Sequence, residues 1–110
     1  FFNGFYPFID AKSGGSVEGG FAAIDTVLAL ADADTIIIPG HGPVGDRADL
    51  IAYREMLTKA RESISPLIAD GKSVEDIVAA KPTAEFDADW GGGFLNPERF
   101  LRVMHAALTK

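Results

Sequence analysis

The sequence has 110 residues, of which 47% are hydrophobic and 24% are charged, a composition typical of a globular chain that forms one domain or part of one. Its formal net charge of −6 excludes nucleic acid as the expected partner, because phosphate contacts need clustered Lys and Arg side chains. The absence of cysteine excludes disulfides and thiolate metal ligands, and no apolar run approaches the ~20 residues of a membrane span. Residues 1–9 lack the features of a signal peptide, so we expect a soluble protein, with the cytoplasm favoured as its location.

The N-terminal segment, residues 1–9, is dense in aromatic side chains and has no initiator Met. Such density is typical of a protein interior, which predicts that the chain begins in the middle of a domain. Gly4 and Pro7 interrupt the pattern, so residues 1–8 predict a short strand that runs into an irregular turn.

A helix and then a second strand are predicted to follow this segment. Ser16 is the expected N-cap of a helix over residues 17–31, whose apolar side chains recur every three or four positions. The β-branched run at residues 35–38 predicts a strand that is buried on both faces. Pro39 and Gly40 end this strand.

A long helix is predicted next. Asp46 or Asp49 can cap its start, and Gly71 ends it. Pro66 lies inside the helical pattern and removes a backbone donor, so a kink or a break is expected near residues 62–65.

The C-terminal part adds two shorter helices. Ser73 opens a capping box for the first and Asn96 caps the second, with a loop over residues 83–95 between them. The predicted order is strand, helix, strand, long helix, short helix and helix. Because two strands cannot cover all of these apolar helix faces, we expect another polypeptide segment to complete the sheet.

The run Pro39-Gly40-His41-Gly42-Pro43 carries the strongest chemical signal of the sequence. Proline and glycine stop the preceding strand and present His41 at its C-terminal end, where the active sites of layered α/β proteins commonly lie. A neutral imidazole between two glycines is a reasonable zinc ligand. It can equally be a turn residue that caps strand carbonyls, because zinc needs three or four ligands and the other histidine, His105, is expected to be a surface or packing residue.

Residues 35–45 resemble the late strand and loop of the metallo-β-lactamase superfamily, whose histidine at the position of His41 binds the second of two zinc ions. The opening at residues 1–10, the turn at residues 14–16 and the segment over residues 81–91 are similar to a non-lactamase hydrolase branch of that superfamily. The resemblance covers essentially the whole chain.

This resemblance implies an α/β fold that is the second αβ half of an αββα sandwich, made of short strands and four helices. Residues 1–110 are then the C-terminal portion of a single metallo-β-lactamase-fold domain. The family's His-x-His-x-Asp-His cluster, its next zinc-binding His and its metal-bridging Asp all precede the opening strand. The N-terminal metal-motif half is therefore expected to be absent from this chain.

The implied activity is that of a zinc-dependent hydrolase, in which a metal-bound hydroxide attacks an ester, amide, lactone or phosphoester bond of a small-molecule substrate. His41 is the expected metal ligand, and Tyr6, Gly40 and Gly42 are candidates for the substrate pocket, while no catalytic residue is identified. Without its N-terminal half, the chain is expected to be inactive and to bind no zinc stably. The alternative is a non-catalytic module that self-associates through the apolar surface that the missing half would cover.

Overall fold

The order of strands and helices along the chain is given by a computed structural model that describes residues 1–109. Within this range, five α-helices and a two-stranded antiparallel sheet form a small mixed α/β fold that is mostly helical. The elements are a 3-10 helix (Ala11–Ser13), α1 (Val17–Leu30), β1 (Ile36–Ile37), β2 (Gly45–Asp46), α2 (Arg47–Ala69), α3 (Val74–Ala80), α4 (Ala84–Trp90) and α5 (Pro97–Leu108). None of these helices is long and apolar enough to cross a membrane.

The starts of four helices match the N-caps that the sequence predicts. The Ser16 hydroxyl accepts a 2.9 Å hydrogen bond from the backbone N–H three residues later, which fixes the start of α1. Asp46 and Asp49 form a reciprocal capping box at the start of α2, so both candidate caps are used. Ser73 and Asn96 accept the corresponding hydrogen bonds at α3 and α5.

The longest helix, α2, continues through Pro66 to Ala69. Of the kink or break predicted near residues 62–65, the break is therefore wrong, and the kink stays a prediction. Pro66 lies in the last turn, where its ring removes one backbone hydrogen bond, and the fully buried Ile64 anchors the same turn in the core. Because α2 packs against both α1 and α5, tertiary packing outweighs the local cost of the proline.

A helix that the sequence does not predict, α4, occupies residues 84–90 of the expected loop. Phe86 and Trp90 lie four positions apart on it, and both pack against the core. The glycines at residues 91–93 suggest a loop in the sequence, but they begin only where the helix has ended. The described part of the chain thus has one α-helix more than the expected four.

The strands are much shorter than predicted. Residues 1–8 form no strand, and Phe2 makes a single parallel bridge to His41. β1 keeps two residues of the predicted run and pairs antiparallel with β2, which the sequence does not predict. The expected burial on both faces is wrong, since Ile36 is 73% exposed and Ile38 is 80% exposed. Within the described part of the chain, β2 is the single neighbour of β1, and no second layer covers these two side chains.

The core is built around α2, which packs against α1 and α5. α1 is buried through Val17, Phe21 and Ile24, whereas Val27 on the same predicted face stays 40% exposed. Each large apolar side chain that is fully buried contributes roughly 1.5–3 kcal/mol of hydrophobic stabilisation. The largest fully buried side chains are Tyr6, Phe100, Leu50, Met56, Ile64, Ile77, Leu101, Met104, Val17 and Thr83.

Candidate functional site

His41 lies in the connection between β1 and β2, and its side chain is exposed. β1 ends at Ile37 and β2 begins at Gly45, so residues 38–44, here named the His41 loop, form the tip of a hairpin. Pro39 and Gly40 come two and three residues after the end of the strand, and proline cannot continue its ladder of hydrogen bonds. The imidazole therefore stands at the carboxyl end of β1.

The N-terminal segment holds this loop through contacts that the sequence does not predict. The Phe2 ring stacks on the His41 imidazole with 4.3 Å between ring centroids and 8° between ring planes. The Asn3 N–H donates a 2.9 Å hydrogen bond to the His41 carbonyl oxygen. The Asn3 side chain is buried, and its Nδ2 donates to the Pro43 carbonyl oxygen at 2.9 Å. Two consecutive residues therefore fix the loop at His41 and at Pro43.

The two glycines that flank His41 differ in how closely the fold constrains them. Gly42 has a φ of +91°, and a Cβ at this position would overlap the carbonyl oxygen of Asn3. Gly40 has no other atom within 4 Å of the place where a Cβ would lie, and its φ is outside the left-handed region. The close approach of Asn3 thus requires glycine at position 42, whereas the fold leaves open space at position 40.

Tyr6, the remaining pocket candidate, lies in the core and not at the His41 loop. It is fully buried, and its ring stacks on Phe100 with the centroids 4.0 Å apart. Its hydroxyl donates to Asp87 Oδ1 at 2.7 Å, and the Thr83 hydroxyl donates to the same oxygen at 3.0 Å. Burial, together with the Asp87 carboxylate, raises the pKa of Tyr6 above its ordinary range. The Tyr6 hydroxyl is therefore engaged in a hydrogen bond to α4.

The imidazole of His41 belongs to a class of side chain that binds metals, and the acidic residues that follow it most closely in sequence are engaged in other hydrogen bonds. Asp49 Oδ2 accepts from the Asp46 N–H at 3.0 Å, and Asp46 Oδ1 accepts from the Asp49 N–H at 2.9 Å. Among residues 1–109, no group of three or more His, Cys, Asp and Glu side chains is placed to hold a metal ion. Zinc in proteins takes three or four protein ligands, and an exposed imidazole is chemically suited to be one of them.

An apolar cavity of about 570 Å³ is lined by the N-terminal segment, α1, β1 and α2. Asp10 carries the single charged side chain of this lining. Phe8 and Ile38 line the cavity and stay largely exposed. Phe2 lines it as well, and its contact with the imidazole places the His41 loop at the margin of the cavity. Exposed apolar area of this kind is typical of a surface that binds a ligand or another polypeptide.

The chain matches no protein-family model, no curated protein and no solved structure. Membership of the metallo-β-lactamase superfamily therefore stays a prediction from short motifs, of which the His41 loop is the one that contains a histidine. The geometry of this loop and of the apolar cavity beside it is therefore the basis for inferring a function.

Proposed function

We propose that this chain is the C-terminal portion of a zinc-dependent hydrolase of the metallo-β-lactamase superfamily and that it contributes His41 as one zinc ligand. The observation that carries the proposal is the exposed imidazole at the carboxyl end of β1, held by Phe2 and Asn3 in an uncharged loop. Active sites of layered α/β proteins commonly lie at the carboxyl ends of strands, and the proposed half-sandwich would place His41 at such an end. In this proposal the other ligands come from an N-terminal segment outside the chain, and the fold is the second αβ half of an αββα sandwich.

The apolar cavity supports the half-sandwich part of the proposal. Ile36 and Ile38 are exposed on and beside β1, and the cavity lining carries almost no charge. Exposed apolar surface is costly in water, since each buried CH₂ group contributes about 0.8 kcal/mol. β1 also has a free edge, because β2 is its single neighbour in the part of the chain that the structure describes. An added strand would pair with this edge, and a second layer would cover the apolar cavity. Together they would remove the unpaired backbone groups of the edge and the exposed apolar surface.

The proposed reaction is hydrolysis of an ester, amide, lactone or phosphoester bond in a small-molecule substrate. Zinc supplies an activated water molecule for such reactions when a full set of ligands holds it. In this chain, His41 provides an imidazole for the metal, and the open space at Gly40 leaves room for a ligand. The chain by itself is proposed to be inactive, because a single imidazole does not make a zinc site.

The zinc content of a completed domain tests the role of His41. The chain is joined to the N-terminal metal-motif half of a member of the superfamily, and zinc is measured per molecule by elemental analysis. We expect two zinc ions with His41 present and one with His41→Ala. His105→Ala is the matched control, because it removes the other of the two histidines of the chain and should leave both ions. Equal zinc contents in His41→Ala and the parent protein would overturn the assignment.

A second candidate function is a non-catalytic module that self-associates through the same surface. The free edge of β1 and the exposed Ile36 and Ile38 favour it, because an apolar edge strand pairs readily with a second copy. Sedimentation at micromolar concentration should then show a dimer that Ile38→Lys converts to a monomer. Phe94→Lys is the control, since Phe94 is 74% exposed and does not line the cavity. A folded monomer of the unsubstituted chain would contradict this candidate and leave the hydrolase proposal standing.

A further inference from the structure

Asn3 contacts the hairpin of the His41 loop with three of its backbone and side-chain groups. Its N–H donates to the His41 carbonyl oxygen, and its Nδ2 donates to the carbonyl oxygen of Pro43, 40 residues away in sequence. Its carbonyl oxygen fills the space that a Cβ at Gly42 would need. A Cβ at Gly45 would lie 2.7 Å from its Nδ2, so the same side chain also packs against the start of β2. Asn3 therefore fixes the path of the loop on both sides of its tip.

The stack between Phe2 and His41 orients the imidazole ring itself. With 8° between the ring planes, Phe2 covers one face of the imidazole. The lone pair or proton of each ring nitrogen lies in the ring plane, so a face-to-face stack leaves both nitrogen edges uncovered. Among residues 1–109, neither His41 ring nitrogen makes a hydrogen bond, which leaves both of them available to an external partner.

We propose that Asn3 and Phe2 are positioning residues, which hold the His41 imidazole in a fixed orientation before a metal ion binds. This inference rests on the proposed role of His41 as a zinc ligand. A ligand side chain that is already ordered loses less conformational freedom on binding, so a preorganised imidazole binds metal more tightly than a free one. Asn3 acts through the backbone of the loop, and Phe2 acts on the ring.

Proton NMR of the chain without metal tests the orientation directly. The chain has two histidines, so its imidazole C–H resonances come from His41 and His105, and His105→Gln assigns them. Stacking places the His41 protons in the shielding region of the Phe2 ring, and we expect their resonances upfield of those of His105. Phe2→Leu removes the aromatic ring and should shift the His41 resonances downfield while those of His105 stay in place.

Variants of Asn3 test whether the loop contacts maintain this stack. Asn3→Asp is the decisive variant, because it keeps the shape of the side chain and replaces the Nδ2 donor to Pro43 with a carboxylate oxygen, which repels the Pro43 carbonyl oxygen. We expect the upfield shift of the His41 resonances to be lost in Asn3→Asp, with unchanged His105 resonances reporting that the fold is intact. Asn96→Ala is the matched control, because it removes the N-cap of α5 and lowers stability without touching the loop. The His41 resonances should not move in that variant.

Two outcomes would overturn the positioning roles. His41 resonances that keep their position in Asn3→Asp would exclude Asn3, and resonances that keep their position in Phe2→Leu would exclude Phe2. No metal is present in these spectra, so their outcome is independent of the zinc content of His41→Ala. An ordered imidazole in a protein whose zinc content does not depend on His41 would leave the positioning intact and refute the metal role.

Discussion

The Tyr6 hydroxyl and Asp87 Oδ1 are joined by a 2.7 Å hydrogen bond that links the N-terminal segment to α4 across 81 residues of sequence. The Thr83 hydroxyl donates to the same oxygen, so one half-buried carboxylate accepts two hydrogen bonds. The backbone adds a second link between the N-terminal segment and α4, because the Tyr6 N–H donates to the Trp90 carbonyl oxygen at 2.9 Å. α4 has no side-chain hydrogen bond at its N-cap, so these links to Tyr6 help to hold it in place.

Removing the Tyr6 hydroxyl should therefore destabilise the fold. We expect Tyr6→Phe to lower the free energy of unfolding by about 1–2 kcal/mol, because it leaves a partly buried carboxylate without its shortest hydrogen bond. Asp87→Ala should cost at least as much, and the double variant should cost little more than Asp87→Ala alone. Urea unfolding of the four proteins measures the coupling. Strictly additive losses would contradict a direct link between Tyr6 and Asp87.

The two tyrosines of the chain predict how stability depends on alkaline pH. Burial raises the pKa of both Tyr6 and Tyr53 above the ordinary tyrosine value of ~10. The stability that follows from these raised values is complete below pH ~10 and is lost as the pH rises further, because the unfolded chain then releases the protons first. We expect phenolate absorbance to appear together with the loss of helical circular dichroism. Titration of either tyrosine at pH ~10 in a folded chain would contradict the prediction.

Alanine substitutions at the two glycines of the His41 loop give a matched pair of variants. Gly42→Ala places a Cβ against the Asn3 carbonyl oxygen at a φ of +91°, so we expect a loss of about 1–3 kcal/mol in the free energy of unfolding. Gly40→Ala introduces the same methyl group into open space, and its effect should stay within roughly 0.5 kcal/mol. Chemical unfolding of both variants gives the comparison. Equal losses would mean that Asn3 does not constrain the loop at Gly42.

Replacement of the helical proline should stabilise α2. Pro66→Ala restores a backbone N–H inside the helix, and we expect the free energy of unfolding to rise by about 1–2 kcal/mol, since the gain in helix propensity exceeds the loss of proline's rigidity in the unfolded chain. Pro97→Ala is the control, because Pro97 occupies the first turn of α5, where a backbone N–H has no helical partner. That change should give no gain. Thermal unfolding distinguishes the two, and an equal gain at both positions would refute the explanation.

The parts of the fold that the sequence predicts are those whose physical cause lies within a few residues. Ser16, Ser73 and Asn96 each cap a helix through a hydrogen bond that spans three positions, so their identity and spacing suffice. The sequence does not predict α4, because this helix is held by contacts to Tyr6, which is far away in sequence. The sequence does not predict the exposure of Ile38 either, because the burial of a strand depends on which other elements pack against it.

In the candidate site too, the sequence predicts the features with local causes and does not predict the contacts between distant residues. The sequence predicts that His41 stands at the end of a strand, because Pro39 and Gly40 are local stop signals. It does not predict Phe2 and Asn3 as its neighbours, because two of the three contacts run through backbone carbonyl groups that every residue carries. The glycines at positions 42 and 45 are the features of the sequence that reflect the close approach of Asn3.

Asp46 belongs to β2 and is at the same time the N-cap of α2, so the hairpin joins the longest helix without a linker. A ladder of two residue pairs specifies its register only weakly, and a slip by one residue would turn each side chain of the strand to the opposite face. A slip that pairs Ile36 with Arg47 would draw the first residue of α2 into the strand and break the capping box between Asp46 and Asp49. The capping box at the start of α2 therefore opposes a slip of β2 in that direction, and it helps to keep His41 at the tip of the hairpin.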